Sequence, residues 1–364
     1  MKASKAGIAF LIVFVSCIDP FGVSSLEPEG LLNIEAFLTS EPHVQQIRLS
    51  RAGIYGLDNV GRNLPVRGAV ILVKDDLGNI ERFLESGVSG TYLSSSEFST
   101  KVGRSYNLDI ELPNGERLVS LPELVNPVPK MDSVTYRAVR TASTDPMNDE
   151  IGVQVLGHFQ DPADQQNFYY WKMLESDFVL ITEPELYTLP PTHPTCPRCP
   201  VPKDCCSRCF HKDTPRPANI NTIDDLEFNG NYQSRVIAYV RDNGLRFKET
   251  YRLDIQHMSV SAEAHRFLKL SDQQLRLTGS VFDPPPANIR GNVINLNRPE
   301  EQVLGYFFAT DIQLLRVYIR RDNLEFFLRP QTTVPDDCRD YLQQASGFPM
   351  PFLPTEAPED WDGF

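Results

Sequence analysis

Five cysteines, Cys196, Cys199, Cys205, Cys206 and Cys209, fall within fourteen residues, and His211 follows closely. Cys196-x-x-Cys199 and Cys206-x-x-Cys209 have the spacing of a small tetrahedral zinc site, in which thiolates would staple a segment that buries little. Disulfides are the competing chemistry. With Cys338 the set is even, and six cysteines in an exported chain allow up to three bridges. Disulfides are the expected state; zinc on Cys196, Cys199, Cys206 and Cys209 is the alternative, and free or redox-active thiols are the third. Cys196-Pro197-Arg198-Cys199 has thioredoxin-type spacing, but that chemistry needs a βαβ setting, and no such pattern surrounds it.

Phe168-Tyr169-Tyr170-Trp171 is an aromatic run with strand character. Alternation sends two rings to each face, so Tyr169 and Trp171 could form a stacking platform for a ligand such as a glycan; core packing is the plainer reading. Hydrolase signals are missing. There is no G-x-S-x-G, no H-E-x-x-H, no phosphate-binding glycine loop and no dinucleotide fingerprint. The six histidines are scattered, and His257 and His265 read as surface positions of a strand and a helix. Asp75-Asp76, Asp224-Asp225 and Asp336-Asp337 fall in turn-like sequence, where Asp bonds its own backbone. Asp161-Pro162-Ala163-Asp164 lacks the rest of a calcium loop and also reads as a turn. Neither catalysis nor a cofactor is expected.

What places these residues begins with the N-terminus. Lys2 and Lys5 precede the apolar run Ile8–Val15, which is too short to cross a bilayer, since that takes roughly 20 residues. Phe14-Val15-Ser16-Cys17 resembles a bacterial lipobox, in which a small residue precedes a Cys that is acylated and becomes the mature N-terminus. Residues 1–16 are thus expected to be a lipoprotein signal peptide and Cys17 the lipidation site; an ordinary signal peptide with an incidental Cys is the alternative. Several acyl chains give stable anchoring where one does not. The formal charge of −13, more negative still once Lys2 and Lys5 are removed, opposes binding to nucleic acid. Hydrophobic content of 41% with 10% aromatics suits packed β-rich layers rather than disorder.

Residues 17–30 read as a tether. From 31 to 125 short strands alternate with turns, as in an immunoglobulin-like β-sandwich. Tyr106, Leu108, Ile110 and Leu112 alternate with polar residues, and Asn114-Gly115 turns the chain back. The prolines of Leu124–Lys130 mark a boundary. A second, larger β-rich domain is expected over 131–325, with strands at Val303–Ala309 and Leu314–Arg320 near its end. It is interrupted by a Cys/Pro-rich insertion at 190–217 and carries one helix capped by Ser261, with Ala264, Phe267, Leu268, Ser271 and Leu275 as its apolar stripe. A three-proline loop, Thr278–Asn288, follows the helix. Residues 330–364 read as a Pro-rich acidic tail, mostly disordered and pinned at Cys338. The fold class expected is all-β.

Several stretches together are similar to the Bacteroidota outer-membrane lipoproteins grouped as domain of unknown function 4249. They are Cys17-Ile18-Asp19-Pro20-Phe21, Phe37–Arg51, Gly103-Arg104-Ser105-Tyr106, Val128–Val134, Gly152–Val155, Thr278–Pro284, Ile289–Asn292 and Val303–Phe307. The resemblance implies a lipid-anchored outer-membrane protein, preferentially surface-facing, with β-sandwich domains. It also implies an accessory or ligand-capturing role beside a TonB-dependent β-barrel transporter in nutrient uptake. The alternative is a surface glycan-binding or adhesion module acting without a transporter, and a hydrolase is a remote third. The family pattern is Cys205-Cys206-x-x-Cys209; Cys196 and Cys199 are an addition to it, which leaves the pairing open.

Overall fold

The computed structural model describes residues 30–52, 64–142, 149–215, 219–277, 289–325 and 332–362. The leader, Cys17, all but the last residue of the tether and the three-proline loop lie outside the described residues. The chain forms β1 (Leu32–Thr39), β2 (Gln46–Arg51), β3 (Leu64–Pro65), β4 (Val70–Asp75), β5 (Ile80–Glu85), β6 (Thr91–Leu93), β7 (Ser105–Glu111), β8 (Arg117–Ser120) and β9 (Glu123–Leu124). It continues with β10 (Met131–Thr141), β11 (Glu150–Gln160), β12 (Phe168–Met173), β13 (Ser176–Ile181), β14 (Arg208–Asp213), β15 (Asn221–Asp224), β16 (Tyr232–Arg241) and β17 (Thr250–Ser259). Last come α1 (Ala262–Leu275), β18 (Val293–Asn295), β19 (Leu304–Arg320) and the short α2 (Tyr341–Ser346). The architecture is all-β of sandwich type, with a Cys-rich insertion and α1 as its long helix.

One 16-stranded sheet has the path β14-β13-β17-β19-β1-β2-β6-β5-β4-β7-β8-β18, with β12 joined at β17 and β15 at β12, β3 at β2 and β9 at β7, and β10-β11-β16 form a separate sheet of three. The long sheet closes over itself in the first half. Ile34, Leu38, Ile47 and Leu49 from β1 and β2 meet Ile71, Leu108, Ile110 and Leu118 from β4, β7 and β8 in one core. In the second half the three-stranded sheet lies over β12, β13, β17 and β19. Val153, Val155, Phe159 and Val240 there bury against Tyr169, Tyr251, Leu253, Ile255 and Val317.

The segment expected as two strands, Val303–Ala309 and Leu314–Arg320, is one strand of 17 residues. Nothing in Thr310–Gln313 breaks it, because backbone pairing continues while the partner changes. Residues 304–310 pair in parallel with β1, and residues 311–320 pair antiparallel with β17. β19 therefore contributes Phe307 to the first core and Leu315 and Val317 to the second. Gly305 sits where the chain approaches β1 most closely. Its φ is +89°, and a Cβ there would lie 2.0 Å from the Ile34 carbonyl oxygen.

The C-terminal segment differs from the disordered tail the composition predicts. Val334, Cys338, Leu353 and Trp361 are buried. Trp361 packs 5.1 Å from the Phe210 ring and 5.4 Å from Tyr318. Asp360 bridges two arginines, accepting from Arg252 at 2.7 Å and pairing with Arg316 at 2.9 Å. Asp360, which read as solvated, is thus the counter-ion of two strand arginines. Phe210 N–H also donates to the Pro354 carbonyl at 2.8 Å, so the segment covers part of the edge of β14.

Candidate functional site

The cysteines resolve into pairs. Cys196 is bridged to Cys199, Cys205 to Cys206, and Cys209 to Cys338, the last with Cα atoms 5.8 Å apart. The alternative zinc set of Cys196, Cys199, Cys206 and Cys209 is not brought together as ligands, because each sulfur is committed to a bridge and Cys209 is fully buried against Cys338. Cys205, Cys206 and Asp337 do converge. Their sulfurs are joined to each other, however, and the Asp337 carboxylate is gripped by the Arg339 guanidinium at 2.6 Å.

Of the two readings of Tyr169 and Trp171, the structure has core packing and not the ligand platform. The two side chains are 0% and 4% exposed and face the second core. His257 lies stacked on Trp171, with ring centroids 5.8 Å apart and planes 8° from parallel. It is not a surface residue, because β17 is covered on both faces: by the three-stranded sheet on one, and by α1 and the C-terminal segment on the other. Its Nε2–H donates to the Pro129 carbonyl at 3.1 Å, and burial holds its pKa down at about 4, so the ring is neutral at pH 7. His265 is buried as well, on the face of α1 that packs over β12 and β15. Its Nδ1 lies 2.8 Å from the Thr222 hydroxyl. Asp161 and Asp225 are buried acceptors for neighbouring loops: Asp161 takes the Tyr169 hydroxyl, and Asp225 takes Asn167 N–H at 2.7 Å.

A second row of rings lies on the opposite face of the same layers, where the two halves meet; Phe37, Tyr170 and Phe267 are half-buried, and Tyr306 and Phe308 are 4% and 9% exposed. Phe37 on β1 alternates with core-facing Ala36 and Leu38; on β19, Tyr306 and Phe308 flank core-facing Phe307. The parallel register sets these outward residues side by side. Phe37 and Phe308 have centroids 4.9 Å apart, Tyr306 and Phe308 4.6 Å, and Phe267 of α1 closes the row 4.9 Å from Tyr306. Tyr170 of β12, from the aromatic run but on its other face, reaches Phe37 at 6.4 Å. The rings floor a hollow of about 430 Å³ whose rim carries Glu35, Gln46, Arg48 and Lys172. Lys172 Nζ stands 5.3 Å from the centre of the Phe37 ring.

Beside it, sharing Phe267 and Tyr306, is a second hollow of about 640 Å³ that reaches Glu123, Glu263, Arg266, Arg290 and Asn292. Glu123 is 4% exposed. It accepts hydrogen bonds from the Tyr306 hydroxyl, from Ser261 at 2.7 Å and from Asn292 at 3.0 Å. Burial pushes its carboxyl above the usual range, although these three donors favour the charge. A carboxylate beside a serine resembles part of a nucleophilic pair, but the Ser261 oxygen is engaged on both sides. Its proton points to Glu123, and it accepts Ala264 N–H at 3.1 Å as the cap of α1. The cluster holds the start of the helix against β9 and β19. Asn292 adds a clamp, donating to the Phe307 carbonyl and accepting Phe307 N–H at 2.8 Å.

Sequence reasoning missed Phe37, Lys172, Tyr306 and Phe308 as a group, since 135 residues separate Phe37 from Lys172 and only the junction assembles them. The available signal was the alternation of rings in Tyr306-Phe307-Phe308 around one core position. Glu123 left no signal, because its three partners all lie far along the chain. No curated protein matches this chain. The family described as Domain of unknown function (DUF4249) matches residues 18–314. That match spans most of the sequence and covers every residue of both hollows, and the chain belongs to this family.

Proposed function

We propose that the chain is a non-catalytic outer-membrane lipoprotein, anchored through Cys17, that captures a small ligand for a TonB-dependent β-barrel transporter. The ring-floored hollow at the junction carries this reading. It is a concave, largely preformed surface with a few polar groups at its rim, which is the usual composition of a ligand site. The one serine–carboxylate contact beside it is occupied as a helix cap, which supports binding over covalent chemistry. The resemblance to outer-membrane lipoproteins is what supports the anchor and the partner in this reading.

The test is crosslinking in intact cells, followed by isolation from solubilised outer membrane and mass spectrometry of the mature N-terminus. A stoichiometric β-barrel partner and an acylated Cys17 are the expected results. An unacylated Cys17, or retention of polysaccharide with no barrel present, sinks the proposal and leaves the glycan-binding module in its place.

A further inference from the structure

We propose that the junction hollow selects a flat aromatic carboxylate, a deepening that rests on the ligand-capture reading above. Three observations carry it. The floor is lined by rings, the half-buried Phe37 and Phe267 beside the largely covered Tyr306 and Phe308, which favour a planar apolar body. The charges on the rim are unequal. Glu35 is the rim's one carboxylate; it faces Arg48 across the β1–β2 pairing and also acts on the Lys172 charge. The rim thus carries two cations, Arg48 and Lys172, against one carboxylate. The Lys172 ammonium stands over Phe37, and among the described residues it makes no hydrogen bond or ion pair with another side chain. An anionic group on the ligand would add the second negative charge that this rim lacks.

The third observation separates an aromatic acid from a sugar acid, which shares the carboxylate. A sugar buries many hydroxyls, and each needs a partner inside the site. The Tyr306 hydroxyl is already committed to Glu123, so the tyrosine offers its ring and not its polar tip. The polar lining left is the short rim of Glu35, Gln46, Arg48 and Lys172. That set matches one carboxylate on a flat ring and would leave most sugar hydroxyls unpaired. A volume of about 430 Å³ accommodates a one- or two-ring molecule.

The experiment measures binding of naphthoate, its neutral alcohol analogue naphthylmethanol, and glucuronate to the full chain by calorimetry. Naphthoate is expected to bind, with the alcohol about tenfold weaker, because a hydrogen bond to a charged group is lost. Lys172→Met keeps the apolar stem and should bring the ratio of the two affinities close to one. Phe37→Ala should weaken both naphthyl probes together; should that variant fail to fold, Phe267→Ala on the helix surface tests the same floor. Glucuronate binding as tightly as naphthoate, an unchanged ratio in Lys172→Met, or no binding of naphthoate each overturns the inference. These outcomes are independent of whether a barrel co-purifies, so the ligand class can fall while the proposed role stands.

Discussion

The bridge between Cys209 and Cys338 should dominate the response of this protein to reduction. It spans a sequence separation of 129 residues and joins β14 to the segment that carries Trp361. In the chain-entropy description, closing a loop of that size in the unfolded state contributes about 5 kcal/mol at 25 °C. Both cysteines are fully buried, so Cys209→Ala/Cys338→Ala removes the restraint while leaving only small voids. The chain has two tryptophans. In a Trp171→Phe background Trp361 is the sole reporter, and its emission follows the docking of the C-terminal segment on Phe210 and Tyr318. Urea unfolding followed by circular dichroism should show a loss of about 5 kcal/mol in the double variant. Trp361 should also become solvent-exposed at lower urea than the sheet transition. A loss under about 1 kcal/mol, with the two probes still coincident, would mean that Asp360 and Trp361 hold the segment unaided, and the reasoning would be wrong.

Gly305→Ala forces a side chain into the Ile34 carbonyl at a backbone conformation that L-residues rarely adopt; a drop of more than about 2 kcal/mol in unfolding free energy is expected. Glu123 titrates above its ordinary value when folded, so it adds stability as pH falls. The stability difference between the native protein and Glu123→Gln should therefore grow in favour of the native protein as pH falls toward the ordinary carboxylate range. His257 has the opposite sign. Its neutral form is favoured in the fold, so stability is full above its ordinary value of 6.5 and is lost as pH falls toward about 4. His257→Phe should flatten that part of the acid limb in a melting-temperature profile. Asp109 is held at a pKa of about 2 by Arg117 and Lys74. Asp109→Asn should cost about 2 kcal/mol at pH 7 and almost nothing near pH 2, measured by chemical denaturation.

Local chemistry was legible in the sequence. The Tyr106–Leu112 alternation marks β7, the Asn114-Gly115 turn joins it to β8, and Ser261 caps α1. Each of these depends on residues a few positions apart. His257 and the Asp360-Trp361 pair were misread because their burial is decided by layers that arrive from elsewhere. His257 has polar neighbours and looks half-exposed until Trp171 and Phe159 cover one side of β17. Asp360 looks like a solvated tail charge until Arg252 and Arg316 are placed beneath it. The hollow has the same character, since neither β1 nor β19 announces a site alone and their parallel register creates it.

Synthesis and export deliver this chain from the amino end, and β19 emerges last among the described strands. Until it arrives, β1 has a partner on one flank only, and Phe307 is missing from the interior it helps to fill. The residues from β1 up to β19, about 270 of them, therefore wait with an unzipped flank, in a form open to wrong pairings. Completion comes in one stroke, when a single late strand seals both halves at once.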